Sequence, residues 1–146
     1  MRRSRETFTE DEVSEHMPAE TYLIDSFAWI EYFSGSDAGA RARSFIEGHR
    51  GITPTIVIAE LSEKYRREKL SFDEDLDFIV RRTRVIPLDT SIAEKAGVLS
   101  HERKKKVKRW GLADSIVLAT ARIHSAKIVT GDEHFLDLTD EVIAIR

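Results

Sequence analysis

The sequence predicts an α/β protein, a three-layer α/β/α sandwich around a parallel sheet. Short apolar runs of strand length alternate with longer segments of helical periodicity, the pattern of a parallel sheet covered on both faces. With 146 residues, 41% of them hydrophobic, the chain is long enough for one closed core. Only three prolines interrupt it, and no repeat or low-complexity tract suggests another architecture.

Residues 1–20 lack sustained periodicity. Thr9 and Glu12 have the spacing of a cap for a short helix, but the segment reads as a mobile N-terminal extension, and the domain as 21–146. "TYLID" (21–25) is a short strand that ends in an acid. Residues 26–34 form a helix with Phe27, Ile30 and Phe33 on one face, stopped by Gly35. A second helix spans 37–47 and ends at Gly48. "GIT" is a very short strand, and Pro54 suits the first turn of a helix that continues to about 69. A helix over 72–82 leads to the strand "RVIPL". Asp89 caps the next helix, where Ile92, Ala96 and Leu99 make an apolar stripe. The last long helix covers 112–125, followed by the strand "KIVT" and a closing strand, "EVIAI".

Composition narrows the function. No stretch approaches the roughly 18 apolar residues of a membrane span, and the arginine-containing N-terminus lacks the apolar core of a secretory signal. The absence of cysteine excludes disulfides and thiolate metal sites and fits a reducing cytoplasm. Residues 1–20 set three arginines against six acids, a net of −3, which leaves the rest of the chain near neutral. That balance is patchy. Arg103, Lys104, Lys105, Lys106, Lys108 and Arg109 put six cations into seven positions. The run is either a solvated helix end or a seat for a polyanion.

In parallel sheets of this kind, ligands bind beyond the carboxyl ends of the strands. Asp25 closes the first strand and Asp132 follows "KIVT", so both belong at that edge. Each alone reads as a cap or turn residue, and Asp114, at the mouth of an apolar helix, reads alone as an N-cap. Glu60 is different. It lies in "TIVIAEL" with Ile56 and Val57 one turn back, where an unpaired carboxylate costs several kcal/mol or neutralises itself. Its partner is either a cation such as Lys64, one turn on, or a metal ion. Four such acids in one crevice repel one another unless something positive binds there. Hard oxygen ligands without histidine or cysteine select Mg2+ or Mn2+ rather than zinc. Ser26 and Thr130 flank the acids as orienting hydroxyls, while Ser115 reads as a helix-start residue. His101, His124 and His134 show no metal-binding spacing and read as surface or loop residues. Trp110 is burial against the Gly111 turn or a platform for a base; the first reading is the stronger. The helix at 26–34, with Phe27, Trp29, Ile30, Tyr32 and Phe33, carries either core residues alone or a face for a second protein.

"LIDSFAWIEYF", "TPTIVIAEL", "GLADSIVLATA" and "IVTGDEHF", in this order and spacing, are similar to the PIN domain, particularly the toxin nucleases of VapC type, over residues 21–146. The resemblance places the family's acidic tetrad on Asp25, Glu60, Asp114 and Asp132 and its active-site hydroxyl on Thr130. It implies hydrolysis of RNA phosphodiester bonds with Mg2+ or Mn2+. One ion would be held by Asp25, Asp114 and Glu60, and a second recruited by Asp132 with Asp25. It also implies a homodimer inhibited by a cognate antitoxin whose arginine or lysine plugs the acidic pocket. The acidic extension departs from the compact family pattern. Two alternatives stay open: a processing or decay nuclease that is not a toxin, and a non-catalytic RNA- or protein-binding module on the same fold. A doubly wound phosphotransfer domain fits less well. Ser26 and Phe27 follow Asp25 where that chemistry uses Asp-x-Asp, and no glycine-rich phosphate loop is present.

Overall fold

The structure, a computed structural model, describes residues 20–146. The Thr9–Glu12 cap and the rest of the N-terminal extension lie outside the described residues. Five strands follow in chain order: β1 (Thr21–Ile24), β2 (Gly51–Pro54), β3 (Arg84–Ile86), β4 (Ala126–Thr130) and β5 (Val142–Ala144). They form one sheet in the order β3-β2-β1-β4-β5, with every neighbouring pair parallel. The described helices are α1 (Ser26–Ser34), α2 (Asp37–Glu47), α3 (Thr55–Arg67), α4 (Asp73–Arg82), α5 (Thr90–Arg103) and α6 (Leu112–Ile123). The expected sandwich around a parallel sheet is what the chain forms.

The central strands explain their own sequences. β1 and β4 pair with Leu23 opposite Ile128 and Ile24 opposite Val129, and all four side chains are buried. A strand covered on both faces needs a continuous apolar run, not alternation. Helix boundaries follow from caps. Gly35 takes the left-handed backbone that ends α1, at φ 72°. Ser36 accepts the Gly39 N–H at 3.0 Å to open α2, and Asp89 accepts that of Ile92 at 2.8 Å to open α5. Ile92, Ala96 and Leu99 are buried as the stripe requires.

Several boundaries differ from the sequence expectation, and three of them have a plain cause. Pro54 closes β2 and precedes α3 rather than lying in its first turn. β3 stops at Ile86 because Pro87 has no N–H to give the sheet. α6 stops at Ile123 because Ser125, at φ 51°, has the left-handed backbone that a helix cannot continue through.

Buried polar groups in this core are satisfied in a chain. The Trp29 indole donates to Thr53 Oγ1 at 3.3 Å, the Thr53 and Thr83 hydroxyls lie 2.7 Å apart, and Thr83 donates to the Ile79 carbonyl at 2.9 Å. Trp29 is fully buried and stacks on Phe33 at 5.4 Å, so part of the aromatic surface of α1 is core. Ile30 and Phe33 also line a cleft of about 450 Å³ with Lys64, Tyr65 and Leu70. No helix among the described residues is long and apolar enough to cross a membrane.

Candidate active site

Parallel strands end on one edge, and the chain puts acids there. Asp25 is the residue after β1, and Thr130 ends the neighbouring β4. The Thr130 hydroxyl donates to Asp25 Oδ2 at 2.7 Å and accepts the Asp132 N–H at 3.0 Å. One buried hydroxyl therefore ties two acids to one strand end. Gly131 between them passes the Phe27 ring so closely that a Cβ would lie 2.3 Å from its Cε1, so a side chain here would have to displace the ring.

Asp25 occupies the N-cap position of α1 but makes no side-chain capping bond. It is 4% exposed. Burial pushes its carboxyl up to about 6; the charges of Asp132 and Asp114 add to this, and hydrogen bonds from Thr130 and the Ser26 backbone oppose it.

Glu60, half-buried on α3, is pushed up to about 7. Burial is the largest cause, followed by the charges of Asp25 and Asp114, with Asp132 contributing and a hydrogen bond from Ser26 opposing. Lys64 does not answer it; its Nζ lies 2.9 Å from Glu68 Oε1. Of the two partners open to Glu60 in the sequence, the lysine is thus engaged elsewhere.

Asp114, on the first turn of α6, accepts the Gly111 N–H through Oδ2 at 3.0 Å, so it does help to cap its helix. Asp132 opens a 3-10 turn (Glu133–Phe135) and accepts the His134 N–H through Oδ1 at 2.9 Å. That turn corrects the reading of His134 as a plain surface or loop residue. Its Nδ1 lies 3.1 Å from Asp114 Oδ2 and 3.8 Å from Asp132 Oδ1. Asp114, Asp132 and His134 each offer a ligand atom, all within 4.8 Å of one another. Helical metal motifs do not include a histidine so placed. The signal available was its position two residues after an acid in a tight turn.

The basic run divides. Lys104, Lys105, Lys106, Lys108 and Arg109 are exposed, on the loop that leads through Gly111 to Asp114. Arg103 departs from the expected RNA-facing set. It is buried, binds Asp137 through two bonds of 2.6 and 2.9 Å, donates to the His134 carbonyl at 3.1 Å, and lies 4.4 Å from the Trp110 ring centroid. A guanidinium held by a carboxylate this way has no fork left for phosphate. Trp110 is buried, with its N–H on Ser115 Oγ at 2.7 Å, so its burial reading holds and Ser115 serves as its acceptor.

Asp25 and Glu60 are raised by burial first and by their acidic neighbours second, and no lysine or arginine in these contacts reaches them. A hard divalent ion fits this donor set, which is oxygen-rich with one imidazole.

The family model of the PIN domain matches residues 22–141. No curated protein matches the chain. Among solved structures, a toxin–antitoxin complex from Klebsiella pneumoniae is similar at a TM-score of 0.69 and 21% identity, covering 86% of this chain and 98% of that one. A DNA-bound VapBC from Salmonella typhimurium gives 0.67 and 19%, covering 88% and 100%. A Mycobacterium tuberculosis VapC toxin that cleaves the sarcin–ricin loop gives 0.65 and 14%, covering 82% and 95%.

Proposed function

This chain belongs to the PIN domain family, and from that membership we propose that it is a metal-dependent endoribonuclease, the toxin of a toxin–antitoxin pair. The observation that carries the reading is the burial of carboxyls beside other acids at one edge of the sheet. Asp25 and Glu60 are both raised, first by burial and then by neighbouring charges that include Asp114 and Asp132. A fold that keeps such a cluster at the ligand-binding edge of its sheet is arranged for a cation.

Asp25, Glu60, Asp114 and Asp132 would hold Mg2+ or Mn2+. When bound, such an ion supplies the Lewis acidity and the lowered water pKa that phosphodiester hydrolysis needs at neutral pH. Thr130 fixes the orientation of Asp25 through its hydroxyl and that of the Asp132 backbone through its oxygen. Ser26 favours the charged form of Glu60. Lys104, Lys105, Lys106, Lys108 and Arg109 grip flanking phosphates and set the strand across the acid edge. Arg103 acts in that region only by supporting it. RNA as substrate is supported by the family resemblance and by the loop-cleaving neighbour. An antitoxin partner is supported by the toxin–antitoxin complexes among the neighbours. The apolar cleft beside Ile30 and Phe33 is the surface we assign to that partner or to a homodimer mate.

The test is cleavage of labelled single-stranded RNA by purified protein in Mn2+ or Mg2+, with EDTA and Asp114→Asn as controls. Cutting should vanish in both controls. Equal cutting by wild type and Asp114→Asn would sink the tetrad.

A further inference from the structure

The acid edge holds a further side chain outside the tetrad, His134, and its position is determined by more than its own turn. Its N–H donates to Asp132 Oδ1 at 2.9 Å and its carbonyl accepts from Arg103 Nη2 at 3.1 Å. Arg103 is in turn buried, paired with Asp137 and packed on Trp110. The imidazole thus rides on a peptide anchored at both ends, with 22% of its side chain exposed. Such a ring is pre-positioned before any ligand arrives.

Its Nδ1 faces Asp114 Oδ2 at 3.1 Å and Asp132 Oδ1 at 3.8 Å. Two donors held by one ion at about 2.1 Å each lie about 3.0 Å apart at a right angle and about 3.5 Å apart at a tetrahedral angle. The Asp114 separation lies inside that range and the Asp132 separation about 0.3 Å above it. We infer that His134 is a nitrogen ligand that completes a mixed site with Asp114 and Asp132 and tilts it from Mg2+ toward Mn2+ and later transition ions. The inference rests on the metal-nuclease reading and deepens it. Mg2+ gains little from an imidazole, whereas affinity for nitrogen donors rises along the first-row series.

Carboxylates only accept, so in the metal-free protein Nδ1 carries the ring hydrogen toward Asp114. Ligation through Nδ1 requires that nitrogen to be free of hydrogen, with the ring hydrogen on Nε2.

The test is pulsed EPR on the full chain loaded with Mn2+ alone, beside calorimetric titrations with Mn2+ and with Mg2+. Wild type should show nitrogen modulation from a directly bound imidazole. His134→Asn and His134→Ala should lose it, with Mn2+ affinity down at least about tenfold and Mg2+ affinity changed less. Mn2+ bound without nitrogen modulation, or modulation that persists in both variants, would overturn the ligation. If His134→Asn then keeps wild-type affinity while His134→Ala does not, the ring is a hydrogen-bonding support for Asp114. Folded wild type that binds no Mn2+ overturns the metal reading itself and this inference with it.

Discussion

The chain buries charge in two neighbouring places and treats them in opposite ways. Around Arg103 the charge is answered in place. Asp137 takes two guanidinium nitrogens, the His134 carbonyl shares one of them, and Trp110 lies beneath, with Nε left without a partner among the described residues. Asp137 is correspondingly held below the usual carboxylate range by Arg103. Around Asp25 the neighbours are other acids, and two carboxyls are pushed up to about 6 and about 7. The first site is closed and holds the fold together. The second is open and calls for something the chain does not supply. Burial of charge alone therefore does not make a functional-site candidate; uncompensated burial does.

Removing one repelling charge should break this contrast most visibly. Asp25→Asn is expected to lower single-turnover RNA cleavage at least about a hundredfold, roughly 3 kcal/mol in the barrier, while its melting temperature in EDTA at pH 8 holds or rises. Activity within threefold of wild type, or a melting temperature several degrees lower, would place Asp25 with the structural charges.

The pH dependence of stability should separate the sites next. Asp25 rises from 3.8 to about 6 on folding and Glu60 from 4.5 to about 7, so between about pH 4 and 7 the folded state binds more protons than the unfolded one. Stability of the metal-free protein therefore falls as pH rises through that window. Asp25 dominates, since Glu60 keeps solvent contact and counts for less. We expect a loss of roughly 3 kcal/mol, read as denaturant midpoints in EDTA at pH 4.5 and 7.5. Added Mn2+ should recover it at the upper pH. Stability that rises across the window would refute the strain assigned to the acid edge.

Much of this was legible in the sequence because it depends on local pattern. Strand ends locate Asp25 and Asp132, an apolar helix mouth locates Asp114, and Glu60 stands out against Ile56 and Val57. What was not legible is which charge answers which. Arg103 looks like the five cations after it, and its partner lies 34 residues on, a distance that no periodicity reports. His134 reads as a loop residue until the 3-10 turn brings its backbone to Asp132 and its ring to Asp114, on a different element. Local signals place residues at an edge; only packing decides their partners.

Breaking the closed site should be smaller and purely structural. Asp137→Ala leaves Arg103 buried and unpaired, at a cost of about 2 kcal/mol. The cost falls below that of a fully enclosed pair because the Asp137 side chain is 51% exposed. Denaturant unfolding at pH 7.5 checks it, and a loss under about 0.5 kcal/mol would mean that the pair contributes no more than an ordinary surface one.

The smallest effect tests where the closed site ends and the substrate surface begins. Lys105 and Lys106 follow Arg103 closely in sequence but are exposed, with no ion-pair partner among the described residues. Lys105→Ala and Lys106→Ala should leave unfolding unchanged. Each should weaken binding of a single-stranded RNA by about 1 kcal/mol and lower the magnitude of the slope of log affinity against log salt by about 0.7 for each phosphate no longer neutralised. Fluorescence anisotropy in EDTA measures this without cleavage, over roughly 50 to 300 mM salt, where counterion release dominates. If the slope stays at its wild-type value in the double variant, the run is a solvated helix end and the cations that hold RNA lie elsewhere.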